Sequence, residues 1–210
     1  MGRSLGARCK ICRASGQKLF LKGNRCDSDK CAMEKRPYPP GQHGRMGSRR
    51  KVSNYGVQLK EKQKVKKSYG LMEKQFKLYF KEADRLKGVT GTNLLRILER
   101  RFDNVVYRLG MALSRNNARQ MVRHDFFLVN GKKVNIPSYL IKEGDVIEAN
   151  PKENKTKRVQ ENLELTSSVK LPEWLSAEED RLKGAFVRLP EREEMDQSIY
   201  EQMIVELYSK

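Results

Sequence analysis

The feature that most constrains the fold is a change of hydrophobic period near the middle of the chain. Up to His124 the apolar residues recur every three to four positions, which is typical of a helix, and Ser114 suits its N-cap. Beyond His124 the period is two, and Asn130-Gly131 accepts the positive φ angles of a two-residue type I′ turn. The stretch therefore predicts a helix that leads directly into a β-hairpin with strands at 127–129 and 132–134.

Three arginines give this helix a charged face. Arg115, Arg119 and Arg123 recur every four residues, so they lie above one another on one side of the helix, opposite its apolar stripe. Like charges at this spacing destabilise a helix slightly, and a polyanion would reverse that cost. The helix and hairpin are therefore interpreted as a nucleic-acid-binding element that presents all three guanidinium groups.

The rest of the chain predicts helices followed by short strands. Helical periodicity indicates helices at 53–67, 72–87, 93–102 and 103–110. Short apolar runs predict strands at 139–141, 146–148, 185–189 and 203–208, and residues 150–157 are expected to form a polar linker. The expected fold class is α+β, mainly helical.

The charge of the chain is high and unevenly distributed. Its 210 residues carry a formal net charge of +18. Residues 1–90 hold 24 Lys and Arg against 7 Asp and Glu, whereas residues 156–210 hold 8 against 12. Such a polarised field favours a polyanionic partner for the first half. The sequence has no apolar run of about 18 residues and no secretory signal pattern, so a cytoplasmic location is expected.

Two basic clusters add candidates for phosphate contact. A charge run is usually only a solvated face, but few carboxylates balance this half of the chain, which favours contact with RNA or DNA. The candidate residues are Arg49, Arg50, Lys51, Lys60, Lys62, Lys64, Lys66 and Lys67.

Four cysteines stand in two pairs near the start of the chain. Cys9 and Cys12 are separated by two residues, Cys26 and Cys31 by four, and 13 residues lie between the pairs. Four thiolates form a closed tetrahedral site, and the surrounding glycine-rich segment lacks the apolar residues to fold alone. The spacing predicts structural zinc, with an iron–sulfur cluster or reduced buried cysteines as alternatives.

Catalytic motifs are absent from the sequence. There is no G-x-x-x-x-G-K phosphate loop, no G-x-S-x-G elbow, and no H-x-E followed by C-x-x-C. His124 has no partner that would make it a general base. The sequence therefore predicts a binding protein and no enzyme.

Several segments resemble a known family. Residues 102–110 (FDNVVYRLG), 114–115, 118–120, 122–124, 129–131, 137–139 and 144–145 resemble the S-four RNA-binding domain, which also occurs in pseudouridine synthases, a tRNA synthetase and heat-shock RNA-binding proteins. The cysteine pairs, residues 36–44 (RPYPPGQHG) and the ending 206–210 extend the similarity to the bacterial ribosomal protein S-four family over essentially the whole chain.

This resemblance implies a structural component of the small ribosomal subunit. Members bind the five-prime domain of 16S-type rRNA, nucleate assembly of the subunit body, and lie beside ribosomal protein S-five, near the region where messenger RNA enters, with an influence on translational accuracy. It implies the metal-bearing form of the family. The candidates for RNA contact in the central module are Ser114, Arg115, Asn116, Arg119, Arg123, His124, Asn130, Lys132 and Lys133.

The resemblance also implies a domain arrangement and exposes one departure. The expected arrangement is a metal-stabilised segment at 1–51, a helical domain formed by 52–98 and 156–210, and an inserted RNA-binding module at 99–155. Asp125 stands where the family usually has glycine, at the end of the arginine helix. Aspartate tolerates the left-handed conformation better than most residues, so the fold is expected to persist.

Two other classes of protein compete with this interpretation. An RNA-modifying enzyme would need a separate catalytic domain of about 150 residues, which the chain outside the module does not provide. A zinc-dependent DNA-binding regulator would use the cysteines and the charge but would leave the central module unexplained.

Overall fold

The computed structural model describes residues 2, 6–46 and 53–209. Its helices are α1 (Arg8–Ser15), α2 (Ala32–Lys35), α3 (Asn54–Ser68), α4 (Glu73–Arg85), α5 (Thr90–Glu99), α6 (Phe102–Arg108), α7 (Arg115–Arg123), α8 (Glu153–Leu165) and α9 (Glu201–Tyr208). The strands are β1 (Phe127–Val129), β2 (Lys132–Lys133), β3 (Val146–Ala149), β4 (Leu175–Ala177) and β5 (Lys183–Phe186). The predicted class, α+β and mainly helical, is confirmed.

The chain forms two compact units. One comprises Met1–Leu94 and Ser198–Lys210, and the other comprises Leu95–Gln197. The second unit therefore extends beyond the expected module boundary at residue 155. Two contacts explain why: β5 pairs with β3, and Asn162 of α8 donates to the carbonyl of Met111 at 3.1 Å. Both contacts bind residues after 155 to the module.

A single antiparallel sheet organises the second unit, with strand order β2-β1-β3-β5-β4. Its buried side contributes Phe127, Ile147 and Phe186 to a core that also contains Trp174, which meets Phe186 edge to face. Gly184 lets β5 approach α6 closely, because a Cβ atom there would lie 2.6 Å from the side chain of Leu109.

The first unit is built on α3, α4 and α9. Phe76 and Phe80 on α4 stack on Tyr208 of α9, with ring centroids 6.3 and 4.4 Å away. The predicted strand at 203–208 is wrong, because these residues belong to α9. Residues four apart, such as Ile204 and Tyr208, share a face in both a helix and a strand, so their spacing alone does not separate the two.

Two further predictions differ from the structure in the second unit. The predicted strand at 139–141 forms only an isolated bridge between Arg101 and Leu140. The carbonyls of Pro137 and Tyr139 instead accept the first N–H groups of α6, from Asp103 at 3.1 Å and from Phe102 at 2.8 Å. The linker predicted at 150–157 is wrong in its second half, because α8 begins at Glu153.

Several local predictions are confirmed. The helices predicted at 53–67, 72–87, 93–102 and 103–110 correspond to α3, α4, α5 and α6, with shifts of a few residues at their ends. The strand predicted at 185–189 is only partly correct, because β5 covers Lys183–Phe186 and residues 187–189 are not in a strand. In the part of the chain that is described, no helix is both long and apolar enough to cross a bilayer.

Candidate nucleic-acid interface

Helix α7 and the β1–β2 hairpin form as the sequence predicts. The Ser114 hydroxyl accepts the N–H of Asn117 at 3.3 Å and so caps α7. Asn130 and Gly131 have φ angles of 50° and 73°, as a type I′ turn requires. The hairpin places Lys132 opposite Val129, and the side chains of both Lys132 and Lys133 are exposed. This edge of the sheet therefore presents two cations.

Asn130 has a structural role in this turn. Its side-chain oxygen accepts the N–H of Val146 at 2.9 Å, and its side-chain nitrogen donates to Asp145 at 2.8 Å. These bonds tie the hairpin to the start of β3. The Asn130 side chain therefore holds the turn that presents Lys132 and Lys133.

The three arginines of α7 do not have equivalent surroundings. Arg119 is only 6% exposed, and its Nη1 lies 3.4 Å from Oδ2 of Asp103. The same carboxylate accepts two bonds from Arg101, at 3.0 and 2.7 Å. Since Arg119 points into the module, the prediction that all three guanidinium groups face outward is wrong for this residue.

Arg115 is partly buried and is held by the neighbouring helix α6. Its Nε donates to Oδ1 of Asn104 at 2.7 Å, and its guanidinium lies 4.8 Å from the centre of the Tyr107 ring. The amide nitrogen of Asn104 donates in turn to Glu99 Oε2 at 2.6 Å. Glu99 also accepts a two-bond contact from Arg108, at 3.0 and 2.7 Å.

The sequence pattern did not reveal this buried polar network. Glu99, Arg101, Asp103 and Asn104 are each at most 4% exposed. The charged and amide residues interrupt an apolar stretch around α6, and this interruption is the signal that could have indicated internal partners. The network fixes the orientation of α7 against α6.

The C-terminal end of α7 is the most exposed part of the helix. Arg123 and His124 are exposed, whereas Asn116, in the first turn, is partly buried. Asp125 adopts φ 57°, which confirms the expected left-handed conformation. Lys155, which sequence reasoning missed, donates to the carbonyls of His124 and Asp125, at 2.8 Å each. A cation at a helix C-terminus complements the helix dipole.

The lysine run on α3 is largely neutralised within the first unit. Lys62 and Lys66 both bind Glu73, at 2.5 and 2.6 Å, and Lys64 binds Glu61 at 2.6 Å. The ammonium group of Lys64 also reaches the Ser198 carbonyl at 2.6 Å. These three lysines therefore point toward carboxylates of the same unit. The prediction that they face outward toward phosphate does not match the structure for Lys62, Lys64 and Lys66.

The remaining basic candidates are placed differently. Lys60 is exposed and Lys67 is partly buried. Arg49, Arg50 and Lys51 lie outside the described residues.

The carboxylate of Glu73 is the centre of this arrangement. Burial works against its charged form, but the hydrogen bonds from Lys62 and Lys66 outweigh burial and lower the pKa of Glu73 to about 2. Tyr208 donates its hydroxyl to the same carboxylate at 3.2 Å. Burial and the nearby Glu73 charge raise the pKa of Tyr208. Hydrogen bonds to Glu73 thus connect both α3 and α9 to α4.

The four cysteines form no disulfide with one another and line one pocket. Cys9 and Cys12 lie on α1, Cys26 ends a short 3-10 helix, and Cys31 directly precedes α2. Other residues lining the pocket are Arg8, Leu21, Lys22, Arg25 and Met33. Burial raises the pKa of the Cys12 and Cys26 thiols. All four cysteines thus border the same pocket.

Two features bear on whether this donor set fits a metal ion. Backbone N–H groups of Leu19 and Lys22 donate to the sulfurs of Cys12 and Cys26, an interaction that favours thiolates. Within the described residues, no three His, Cys, Asp or Glu side chains meet the distances of a metal-binding group.

Comparison with known proteins covers the whole chain. A family model described as the Ribosomal protein S4/S9 N-terminal domain matches residues 3–99, and an S4 domain model matches residues 100–147. The sequence is 57% identical to the small ribosomal subunit protein uS4 of Geobacter sulfurreducens over 210 residues, all of both chains. The chain belongs to the uS4 family. Identities to the uS4 proteins of Thermodesulfovibrio yellowstonii and Halothermothrix orenii are 55% and 54%, again over the full length of both chains.

The S4 domain match covers only part of the second unit. The S4 domain match ends at residue 147, whereas the compact unit continues through α8, β4 and β5 to Gln197. In this uS4 chain, two strands from beyond the matched region therefore complete the sheet that begins with the S4 hairpin.

Proposed function

We propose that this uS4 chain is a structural component of the small ribosomal subunit that binds small-subunit rRNA directly and catalyses no reaction. The full-length identity to uS4 proteins carries this proposal. The geometry of the S4 domain supports it, since a rigid module presents Arg123, Lys132 and Lys133 to solvent. Such a protein works in the cytoplasm, within the ribosome.

The rRNA contact on the S4 domain is proposed to centre on the end of α7 and the edge of the hairpin. Exposed Lys and Arg side chains bind phosphate oxygens and displace counterions, which needs no particular base sequence. Arg115 and Asn116 lie on the first turn of α7 and extend this surface, while Ser114, Arg119 and Asn130 hold the elements that present it.

The finer role proposed for the chain follows from its family resemblance. Contact with the five-prime domain of 16S-type rRNA would make it an early binder that nucleates the subunit body. Ribosomal protein S-five is the proposed protein neighbour, near the region where messenger RNA enters, with an effect on translational accuracy. The acidic excess of residues 156–210 supports a protein neighbour for that part of the chain.

Filter binding of the full chain to small-subunit rRNA at several salt concentrations tests the rRNA contact. The variant R123Q/K132Q/K133Q is expected to bind more weakly, and its salt slope should be shallower by about 2 units, since each lost phosphate contact removes about 0.7–0.9. A matched control, K152Q/K157Q/K170Q, removes three other exposed cations of the second unit. Equal slopes for the two variants would contradict the assignment of this surface.

We further propose that Cys9, Cys12, Cys26 and Cys31 hold a structural zinc ion, with an iron–sulfur cluster on the same ligands as the alternative. Their shared pocket, the absence of a disulfide among them and the N–H groups directed at two of the sulfurs support this proposal. Four thiolates leave no open position for a substrate, so the ion would stabilise the fold of residues 6–46.

Elemental analysis and chelation test the metal proposal. Protein purified without added metal, under air and under nitrogen, is expected to carry about one zinc per chain by the four-thiolate stoichiometry. Iron with matching sulfide in the anaerobic sample would favour the cluster. Chelation should make residues 6–46 sensitive to protease and leave the S4 domain resistant. Identical digestion with and without chelator would contradict a structural ion.

A further inference from the structure

The turn between β1 and β2 contains a chemically labile pair of residues. Asn130 is the only asparagine in the 210 residues that is followed by glycine. Asparagine deamidates when the backbone nitrogen of the next residue attacks its side-chain amide carbon, and glycine, which has no side chain, hinders that attack least. A type I′ turn nevertheless favours this pair, because both of its central residues need positive φ. The residues that build the hairpin are therefore also the pair most prone to deamidation.

The turn is open to solvent. Asn130 and Gly131 are both exposed, whereas Asn104 and Asn162 are each only 1% exposed. Burial therefore does not protect the Asn130 amide from water. Protection of this side chain has to come from the conformation in which the turn holds it.

Two hydrogen bonds hold the Asn130 amide, one at each of its polar atoms. Its Oδ1 accepts the N–H of Val146 at 2.9 Å, and its Nδ2 donates to Oδ1 of Asp145 at 2.8 Å. The other carboxylate oxygen of Asp145 accepts the N–H of Lys142 at 2.8 Å, and the Asp145 carbonyl accepts the N–H of Phe186 at 3.0 Å. Asp145 is thus fixed by the backbone at two points while it holds the Asn130 side chain.

The backbone of the turn also opposes the attack. Asn130 has φ 50°, and a type I′ turn sets ψ of its first central residue to about +30°. At that ψ the nitrogen of Gly131 points away from the Asn130 side chain, whereas the reaction requires it to lie against the amide carbon. Ring closure therefore needs a rotation about the Cα–C bond of Asn130, which would break the contacts to Val146 and Asp145.

We propose that Asn130 is the deamidation site of this chain and that Asp145 suppresses the reaction in the folded protein. The Gly131 nitrogen forms a bond to Cγ of Asn130 and loses its proton. The bond between Cγ and the amide nitrogen breaks, and ammonia leaves with that proton. Water then opens the cyclic imide at either carbonyl, which gives aspartate or isoaspartate. The inference goes beyond the proposed function and needs no bound RNA.

Either product would weaken the hairpin. A carboxylate at position 130 has no N–H to donate, and it would face the Asp145 carboxylate across the 2.8 Å that the amide now bridges. Isoaspartate routes the backbone through the side chain and so lengthens a turn whose length fixes the register of β1 and β2. Deamidation would therefore detach the hairpin from the start of β3.

Incubation of the full chain at neutral pH, native and in urea, tests the site. Peptide mass spectrometry measures deamidation at each asparagine, and labelling by an isoaspartyl methyltransferase detects isoaspartate. In urea, Asn130 is expected to react faster than any other asparagine. In the native chain it should react about tenfold more slowly, since each lost hydrogen bond is worth roughly two- to tenfold in rate. A faster reaction at another asparagine in urea, or equal rates at Asn130 in the two states, would overturn the inference.

The variant Asp145→Ala tests the protecting residue. Native Asp145→Ala should deamidate at Asn130 roughly two- to tenfold faster than the unmodified chain, because one hydrogen bond is lost. Asp180→Ala is the matched control, since Asp180 accepts the N–H of Leu182 at 3.0 Å between β4 and β5 of the same sheet. Circular dichroism verifies that both variants are folded. Equal deamidation rates in the two variants would overturn the role of Asp145.

A last comparison does not require Asp145→Ala to fold. Asn130→Asp introduces one of the two products directly, and it should unfold at a lower temperature than Asn135→Asp, which adds the same charge at another exposed position. Equal unfolding temperatures would overturn the contact between Asn130 and Asp145 on which the protection depends.

Discussion

The guanidinium of Arg115 donates to the side-chain oxygen of Asn104 at 2.7 Å, so α6 holds the first turn of α7 through a polar contact. A second contact, between Arg119 and Asp103, repeats the arrangement one turn later. Both acceptors belong to the same buried turn of α6. The orientation of the arginine helix therefore depends on hydrogen bonds as well as on apolar packing.

Substitution of Asp103 tests how much this network contributes. Asp103→Ala should lower the free energy of unfolding by about 3–5 kcal/mol, because Arg101 and Arg119 would remain buried without their carboxylate. Urea denaturation measures the change. Glu161→Ala, which breaks the exposed pair with Arg158, is the control and should cost less than about 1 kcal/mol. Similar losses in the two variants would contradict a structural role for Asp103.

Arg119 and Arg123 are expected to respond differently to the same substitution. Arg119→Gln should mainly reduce stability, by roughly 1–3 kcal/mol, because a buried charge-assisted bond is lost. Arg123→Gln should leave stability within about 0.5 kcal/mol and make the salt slope of rRNA binding shallower by about 0.7–0.9. Denaturation and filter binding on both variants measure the two effects. A loss of binding without a loss of stability in Arg119→Gln would contradict the buried position of Arg119.

The three arginines of α7 show which part of the interface can be predicted from sequence. Spacing places Arg115, Arg119 and Arg123 on one side of α7, and the Ser114 cap and the Asn130 turn follow from local chemistry. Spacing does not say which neighbour lies against that side. Asp103 and Asn104 occupy it through tertiary packing, and no period in the sequence encodes that contact.

The left-handed conformation of Asp125 leads to a prediction with two variants. Asp125→Ala should cost about 1 kcal/mol, because alanine at φ 57° is strained and lacks the local polar contacts that help aspartate there. Asp125→Gly removes that strain, and it should match or exceed the wild-type stability. It should also bind rRNA more tightly, since a carboxylate beside Arg123 is lost. Thermal unfolding and filter binding compare the variants, and equal stability of both would contradict this account.

Glu73 gives the first unit a defined dependence on pH. Its pKa is lowered from an ordinary 4.5 to about 2 in the folded state, so its contribution to stability is present above pH 4.5 and is lost as the pH falls toward 2. Because the side chain is 47% exposed, solvent screening limits this contribution to about 1 kcal/mol.

Urea denaturation at pH 6 and pH 3 measures the effect of Glu73. Glu73→Gln should be less stable than wild type at pH 6, and the difference should shrink at pH 3. Glu82→Gln, at an exposed position of the same helix, is the control. The raised pKa of Tyr208 has an effect at high pH. Because the folded state keeps the Tyr208 proton, stability falls as the pH rises above 10. A wild-type to Glu73→Gln difference that stays constant with pH would rule out this role of the carboxylate.

The lysine run and the last helix show where prediction from sequence fails. Composition finds the cations of α3 but not Glu73, which is seven residues beyond Lys66 and faces it only after α4 folds back. For the last helix, the residues at 204 and 208 fit a strand as well as a helix. The deciding contact is with Phe80, more than 100 residues earlier in the chain. In both cases the deciding partner lies on another helix, and the periodicity of a single helix does not show it.

Helix α9 also has a consequence for the order in which the protein forms during synthesis. The unit that begins near the N-terminus is completed by Ser198–Lys210, which a translating ribosome makes only after the whole of the second unit. Until then Phe80 lacks its stacking partner and Lys64 lacks the carbonyl of Ser198. The S4 domain can thus fold on the nascent chain before the first unit does. A product truncated before α9 would carry a folded RNA-binding module and an incomplete helical unit.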